Sequence, residues 1–128
     1  SAVSNAPQNA SSDSAFAVLW SILELGEGCT QRDICRQFFL SKQTAHSSVR
    51  KLEQEGVLML RPGSGREVAI FLTEKGKALV GEKVVPAMEA ERAAARGLQA
   101  AEWETALRLM RKWFGLFREA AEAIPGQG

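Results

Sequence analysis

Ser41-Lys-Gln-Thr-Ala-His-Ser-Ser-Val-Arg-Lys-Leu-Glu-Gln-Glu-Gly56 is the stretch that decides how this chain folds. Ala45, Val49 and Leu52 recur at i, i+4, i+7, so a helix through them has one dry face. Gln43, Ser47, Arg50 and Gln54 fall on the opposite face, with Lys42 and His46 on its flank. Ser41 can cap the first turn and Gly56 can end the helix. The polar side carries amide, hydroxyl, imidazole and guanidinium groups of modest length, as a helix reading the edges of bases in a groove requires. Taken by itself, the same face would serve equally as a solvated surface, and the flanking elements decide between the two.

Upstream, Phe16, Leu19, Trp20 and Leu23 repeat at helical spacing over Ser14–Leu25, with Ser12 or Asp13 placed to cap and Gly26 and Gly28 to stop. Thr30-Gln-Arg-Asp33 has capping-box spacing, with Asp where Glu is usual. It opens a short helix to about Phe38, with Ile34, Cys35 and Phe38 inward. Two short helices, a tight link and a polar-faced second helix predict a helix-turn-helix. Downstream, Val57–Arg61 and Arg66–Thr73 read as strands around the turn cluster Pro62-Gly-Ser-Gly65. A hairpin in that position is a wing. Arg61 and Arg66 near its tip suit phosphate or minor-groove contact.

Thr73 then caps a helix that continues to about Arg96, with Leu79, Val80, Val84 and Met88 along it and an alanine-rich end. Pro86 should bend or interrupt it. After Gly97, Gln99 and Glu102 start a last helix over about 100–123. Its stripe of Trp103, Ala106, Leu107, Met110, Trp113, Phe114, Phe117, Ala121 and Ile124 is joined by a second begun at Leu109 and Leu116. A helix apolar on two sides in so small a domain is most economically covered by a second copy. Trp103, Leu107, Met110, Trp113, Phe114 and Phe117 are the expected dimerisation residues. The fold class is therefore mainly α: a winged helix-turn-helix with a two-stranded β-wing and C-terminal dimerisation helices. The expected divisions are a disordered or tag-like segment at 1–12, the winged unit at 13–76 and a helical dimerisation region at 77–124.

Composition permits this and excludes other classes. The 128 residues are 45% hydrophobic and 24% charged, ordinary for one globular domain. No apolar run approaches the roughly 20 residues of a membrane span, and no secretory leader is recognisable, so a cytoplasmic, reducing compartment is expected. Net charge is only +1. Its distribution is more informative. Residues 41–66 carry Lys42, Arg50, Lys51, Arg61 and Arg66 against Glu53 and Glu55, an excess of +3, whereas residues 1–40 stand at −2. A single histidine, His46, supports neither a Ser-His-Asp nor a Cys-His unit, and no phosphate-cradling glycine motif is present, so catalysis is not expected. Cys29 and Cys35 have no second pair at zinc-ligand spacing, so no metal or cofactor is expected. Two thiols beside a reading unit could instead couple oxidation to binding.

Leu40-Ser-Lys-Gln-Thr44, Ser48, Leu52-Glu-Gln-Glu-Gly56 and Leu72-Thr-Glu-Lys-Gly76, in this order, resemble the MarR family of winged-helix transcriptional regulators. The likeness runs from about Phe16 to the C-terminus, specific over residues 40–76 and mainly one of pattern beyond. It implies a homodimer on a roughly palindromic double-stranded DNA operator, one recognition helix per major-groove half-site and one wing per minor groove. It also implies a cleft between the reading unit and the dimer helices where a small-molecule effector relieves repression. Two departures stand out. The family's wing carries an Asp two residues before its Arg, where this chain has Ser64, which leaves Arg66 either more mobile or braced by Glu67. The family's long first helix would also be short, disordered or absent here.

The expected contacts follow. Ser41 and Thr44 anchor phosphate, Gln43, His46, Ser47 and Arg50 face base edges, and Lys42, Lys51, Arg61 and Arg66 supply charge. Two rivals use the same fold: a winged-helix module that docks on protein and never touches DNA, slightly favoured by the near-neutral charge and the absent wing Asp, and a thiol-based redox sensor.

Overall fold

The computed structural model describes residues 6–126, with side-chain surroundings described from residue 13 onward. Its elements run α1 (Ala6–Leu25), α2 (Gln31–Phe38), α3 (Lys42–Gln54), β1 (Leu58–Pro62), β2 (Val68–Leu72), α4 (Glu74–Lys83), α5 (Val85–Ala95) and α6 (Ala100–Glu122). Two compact units divide the chain, Ser1–Glu89 and Ala90–Gly128. No helix among the described residues is long and apolar enough to cross a membrane.

In the first unit, α1 packs on α2 and α3, and α3 leads into the antiparallel pair β1–β2, in which Leu58 faces Leu72 and Leu60 faces Ile70. Val18, Ile22, Ile34 and Ile70 are almost wholly buried, and Val49, Leu52, Leu58, Val80 and Met88 close the same core. The buried side of α1 is centred on Val18, Leu19 and Ile22, whereas Phe16, Trp20 and Leu23 only flank it. That is a rotation from the Phe16–Leu19–Trp20–Leu23 stripe. The stretch from Phe16 to Leu23 is apolar nearly all round, so spacing alone cannot select its inner face.

α1 also begins at Ala6 rather than Ser14, so positions 12 and 13 lie within the helix and not at its start. Pro7 does not oppose this, because the amide hydrogen that proline lacks has no acceptor in a first turn. The disordered or tag-like reading is thus replaced by helix over residues 6–12, and over 1–5 it lies outside the described residues. No separate helix precedes α1 among the described residues.

The capping box at α2 is complete: Thr30 Oγ1 accepts from the Asp33 amide at 3.2 Å, and the Asp33 carboxylate accepts from the Thr30 amide at 3.0 Å. Phe38, expected inward, is 38% exposed and only edges Trp20, whose indole N–H donates to Glu24. Phe39 ends α2 in the left-handed region at φ 55° and is 94% exposed. The helix must stop there so that Leu40 can face inward and Ser41 can start α3.

The wing is tied to the α1–α2 loop as well as to itself. The Gly28 amide donates to the Ile70 carbonyl at 2.7 Å, the Ile70 amide to the Cys29 carbonyl at 2.9 Å, and the Leu72 amide to the Glu27 carboxylate at 2.9 Å. β2 starts at Val68 rather than Arg66. The Gly63 amide donates to the Glu67 carbonyl at 2.8 Å, which closes the turn and leaves Arg66 within it.

Leu72-Thr-Glu-Lys-Gly76 clamps the end of α3 to the start of the wing. Thr73 accepts from the Gly76 amide at 3.0 Å, and its own amide donates to the Val57 carbonyl at 3.1 Å. The Lys75 ammonium donates to the Glu55 carbonyl at 2.7 Å. Gly56 turns the chain there at φ 77°. Residue 76 has to be glycine for closeness: an added Cβ would stand 2.2 Å from the Val57 carbonyl oxygen. Helix α4 ends at Lys83 with Val84 as its C-cap, two residues before Pro86, and α5 takes Pro86 into its first turn, as a proline that cannot donate requires.

In the second unit, α6 starts with the Glu102 carboxylate accepting from the Gln99 amide at 2.8 Å, and Trp103 Nε1 donates to the Ala95 carbonyl at 2.8 Å. No residue of α6 is buried.

Candidate nucleic-acid interface

Helix α3 presents the two faces its spacing requires. Ala45, Ser48, Val49 and Leu52 are buried. Ser41, Lys42, Gln43, His46, Ser47, Arg50 and Lys51 are exposed, and Thr44 is half-buried. Ser48 is one polar residue on the dry side, small enough to sit there between Ala45 and Leu52.

The N-terminus of α3 is built by its own side chains. Ser41 Oγ accepts from the Thr44 amide at 3.0 Å and donates to Thr44 Oγ1 at 2.7 Å. Both of Ser41's capacities are thus engaged in the cap, and Thr44 keeps its hydroxyl proton for an outside acceptor. Of the two residues expected to anchor phosphate, Thr44 is therefore the one left with a free donor.

His46 and Arg50 line a shallow hollow of about 120 Å³ together with Val49, Gln31 and the wing residues Leu60, Val68 and Ile70. That places the polar flank of α3 and the strands of the wing on one side of the unit. Arg61 and Arg66 are both exposed. Arg61 leans on its own strand, Nη2 lying 3.3 Å from Met59 Sδ, a weak acceptor. Glu67 does not brace Arg66: it meets Arg32 of α2 at 3.8 Å. No ion pair or hydrogen bond holds Arg66 among the described residues, so the wing tip carries an uncommitted guanidinium.

A second hollow, about 430 Å³, opens at the foot of the wing, lined by Thr30, Gln31, Arg32, Cys35, Lys42, Glu67 and Val68. Sequence reasoning missed it. The only signal was the odd acid of the wing, Glu67, and chain order pointed that residue at its neighbour Arg66 rather than at a helix 35 positions away.

The two thiols differ. Cys29 is buried, and burial, followed by the nearby Asp33 charge, raises its pKa above the usual thiol range. It is a poor nucleophile. Cys35 is half-buried beside the 430 Å³ hollow. Both are free thiols. Asp33 itself titrates below the usual carboxylate range because the Thr30 amide, then the Thr30 hydroxyl, bonds its charged form. Among the described residues no three His, Cys, Asp or Glu side chains stand close enough to hold a metal ion.

On α6, the residues expected to dimerise are all partly open: Trp103 38%, Leu107 48%, Met110 51%, Trp113 53%, Phe114 53% and Phe117 59% exposed. Trp113 contacts Phe114 and Phe117 with ring centroids 5.1 and 5.4 Å apart. Leu109 and Leu116, of the second stripe, are 50% and 56% exposed.

Comparison with known proteins agrees with this geometry. Residues 12–67 match the family model described as MarR family. No curated protein matches the chain. Among solved structures, it is similar to BpsR of Bordetella bronchiseptica, whose DNA binding is regulated by 6-hydroxynicotinic acid. There the identity is 26%, 78% of this chain and 73% of that one are covered, and the TM-score is 0.55. The fold is also that of a MarR family regulator from Neisseria meningitidis, at 22% identity, 85% and 78% coverage and a TM-score of 0.66. MepR of Staphylococcus aureus, solved with DNA, is similar at 21% identity, 83% and 78% coverage and a TM-score of 0.59.

Proposed function

We propose that the chain, whose residues 12–67 match the MarR family model, is a homodimeric, sequence-specific regulator of that family that binds a palindromic operator in double-stranded DNA and answers to a small-molecule effector. One observation carries the reading: the exposed polar side of α3 and the strands of the wing lie on the same side of the winged unit, around the hollow that His46 and Arg50 share with Leu60 and Val68. A helix entering a major groove brings a wing on that side to the adjacent backbone or minor groove.

On this reading Gln43 suits adenine and Arg50 suits guanine or a phosphate, while His46 and Ser47 reach neighbouring edges. Thr44 donates to phosphate from the first turn of α3, with Ser41 holding it in place. Lys42, Lys51, Arg61 and Arg66 supply counter-charge. The protomers join through Trp103, Leu107, Met110, Trp113, Phe114 and Phe117, because half-exposed aromatic and aliphatic side chains in this number mark an association surface. The protein works in the cytoplasm, where its operator is. The DNA binding of BpsR, to which the chain is similar, is regulated by 6-hydroxynicotinic acid, which supports an aromatic acid as the effector class.

Selection of bound duplexes from a random pool tests the reading, because it reports DNA binding, half-site symmetry and spacing at once. On the selected duplex, a dimer neutralising about 6–8 phosphates gives a log K versus log salt slope near −5 to −7. Arg66→Ala should weaken all sequences alike and flatten that slope by about 1–2 per dimer. No enrichment, together with no shift of random duplex at low salt, would replace DNA binding with docking on a protein partner.

A further inference from the structure

We propose that His46 reads its operator position as an imidazolium, so that DNA binding takes up a proton at each α3 helix and the base preference at that position changes with pH. The proton coupling rests on the DNA-binding reading above and names a regulation of the same surface.

His46 is the single histidine of the chain and stands exposed on the reading side of α3. Lys42 precedes it by four positions and Arg50 follows it by four, so one ridge of the helix carries three groups able to bear positive charge. Among the described residues neither ring nitrogen has a hydrogen bond or an ion pair. Ser41 differs, since its hydroxyl is engaged in the cap. The hollow that His46 shares with Arg50 is walled by Gln31 of α2, Val49 of α3, Leu60 of β1 and Val68 and Ile70 of β2, and no carboxylate borders it. The charged residues next in chain to those walls are Arg32, Arg61 and Glu67, and the Glu67 carboxylate is turned to Arg32 at 3.8 Å. Glu53, the nearest acid along α3, is seven positions away. The chain thus supplies no anion to an imidazolium at this place, whereas a bound duplex supplies several.

An imidazole ordinarily changes charge between about pH 5 and 8. Neutral, it offers one donor and one acceptor; charged, it offers two donors that diverge from the ring. In the major groove guanine N7 and O6 and thymine O4 accept, whereas adenine N6 and cytosine N4 donate. Between two such acceptors, or between one of them and a phosphate, the imidazolium satisfies both sides. The neutral ring there leaves a lone pair facing an acceptor, which costs a hydrogen bond. It fits instead where one neighbour is an adenine or cytosine amino group. Phosphate oxygens favour the charged form by attraction of opposite charges. The bound state then holds more protons than the free state, so affinity is greatest in acid and declines as pH rises through the imidazole range. With one proton taken up per protomer, the slope of log K against pH reaches about −2 for a dimer.

The full chain is used to select duplexes from a random pool at about pH 6 and again at about pH 8, on either side of the imidazole range. Guanine or thymine should be enriched at one position of each half-site in acid, and that preference should vanish or pass to adenine or cytosine in alkali. The acid-selected duplex should bind the wild type at least about tenfold more weakly at the higher pH. His46→Gln and His46→Lys, one neutral and one charged throughout, should both change by less than about twofold. Titration calorimetry in two buffers of different ionisation enthalpy should report proton uptake by the wild type and none by His46→Gln. Position 46 is exposed, and circular dichroism checks that the variants fold. A wild-type affinity that is flat with pH, or a pH dependence kept in His46→Gln, overturns the proton coupling while DNA binding stands. An identical base preference at both pH values overturns the claim on base choice. Absence of any selected duplex at either pH overturns the DNA reading and the coupling together.

Discussion

Placing the same substitution at two positions of α4 should produce opposite signs. In Gly76→Ala the new methyl would lie 2.2 Å from the Val57 carbonyl oxygen and 3.2 Å from its carbon, with Leu72 Cδ2 at 3.3 Å. Ordinary contact begins near 3.4 Å, so α4 and the Gly56–Val57 turn must separate by about 1.2 Å. The obstructing atom belongs to the backbone and also accepts from the Thr73 amide at 3.1 Å, while the Thr73 hydroxyl donates to the Gly56 carbonyl beside it at 2.5 Å, so no side chain can simply swing away. Overpacking of this kind costs about 1–3 kcal/mol. Weakening the Thr73 bonds adds roughly 0.5–1.5 kcal/mol. Against this, alanine gains about 1 kcal/mol over glycine within a helix. The net is a loss of about 0.5–3.5 kcal/mol. At Gly81 nothing lies within 4 Å of an added Cβ, so Gly81→Ala keeps only the helical gain and should stabilise by about 0.5–1 kcal/mol. Urea unfolding of both variants, with wild type on the same day, reads the two shifts. Midpoints moving in the same direction would show that the turn yields freely and that residue 76 need not be glycine for closeness.

Phe39→Gly should stabilise by about 0.5–1 kcal/mol in the same assay, because it relieves a left-handed phenylalanine whose 94% exposed ring gives up no packing; a loss of stability would mean that the ring is held by contacts. Asp33 has a folded pKa below its ordinary 3.8, so its contribution is complete above that value and fades as pH falls through the folded pKa. Urea midpoints of wild type and Asp33→Asn should therefore differ at neutral pH and converge in acid below the folded value, and a gap that widens in acid would contradict the assignment. Leu107→Glu with Phe117→Glu should convert a dimer to a monomer in light scattering with helix content retained, whereas an unaltered mass would exclude this face of α6 from the interface.

Much of the winged unit was legible in the sequence because it is built from local signals. Capping residues at Thr30, Ser41 and Thr73, the i, i+4, i+7 run of α3 and the turn at Gly63–Gly65 each fix an element within a few neighbours. What escaped depends on partners that are distant in the chain. The inner face of α1 is chosen by what packs on it, and an all-apolar stretch does not reveal that choice. Chain order offers Glu67 the adjacent Arg66 as one partner, but the closing of the turn at Gly63 sends that carboxylate across to Arg32. The hollow it borders could not be anticipated either, since α2, α3 and β2 each contribute only one or a few of its walls. Phe39 marks a third kind of difficulty. The turn between α2 and α3 takes a conformation that glycine would adopt at no cost, so a phenylalanine there gave no hint of it.

The hydrogen bonds between β2 and Glu27, Gly28 and Cys29 make the wing dependent on chain that precedes it by some forty residues, Glu27 and Leu72 being 45 positions apart. A hairpin moved alone into another scaffold would leave the Ile70 and Leu72 amides and the Ile70 carbonyl without those partners. Exchange of wings between relatives should therefore succeed only when the link between the first two helices travels too. During folding, the turn at the tip can close early, but the root must wait until the first helix has docked.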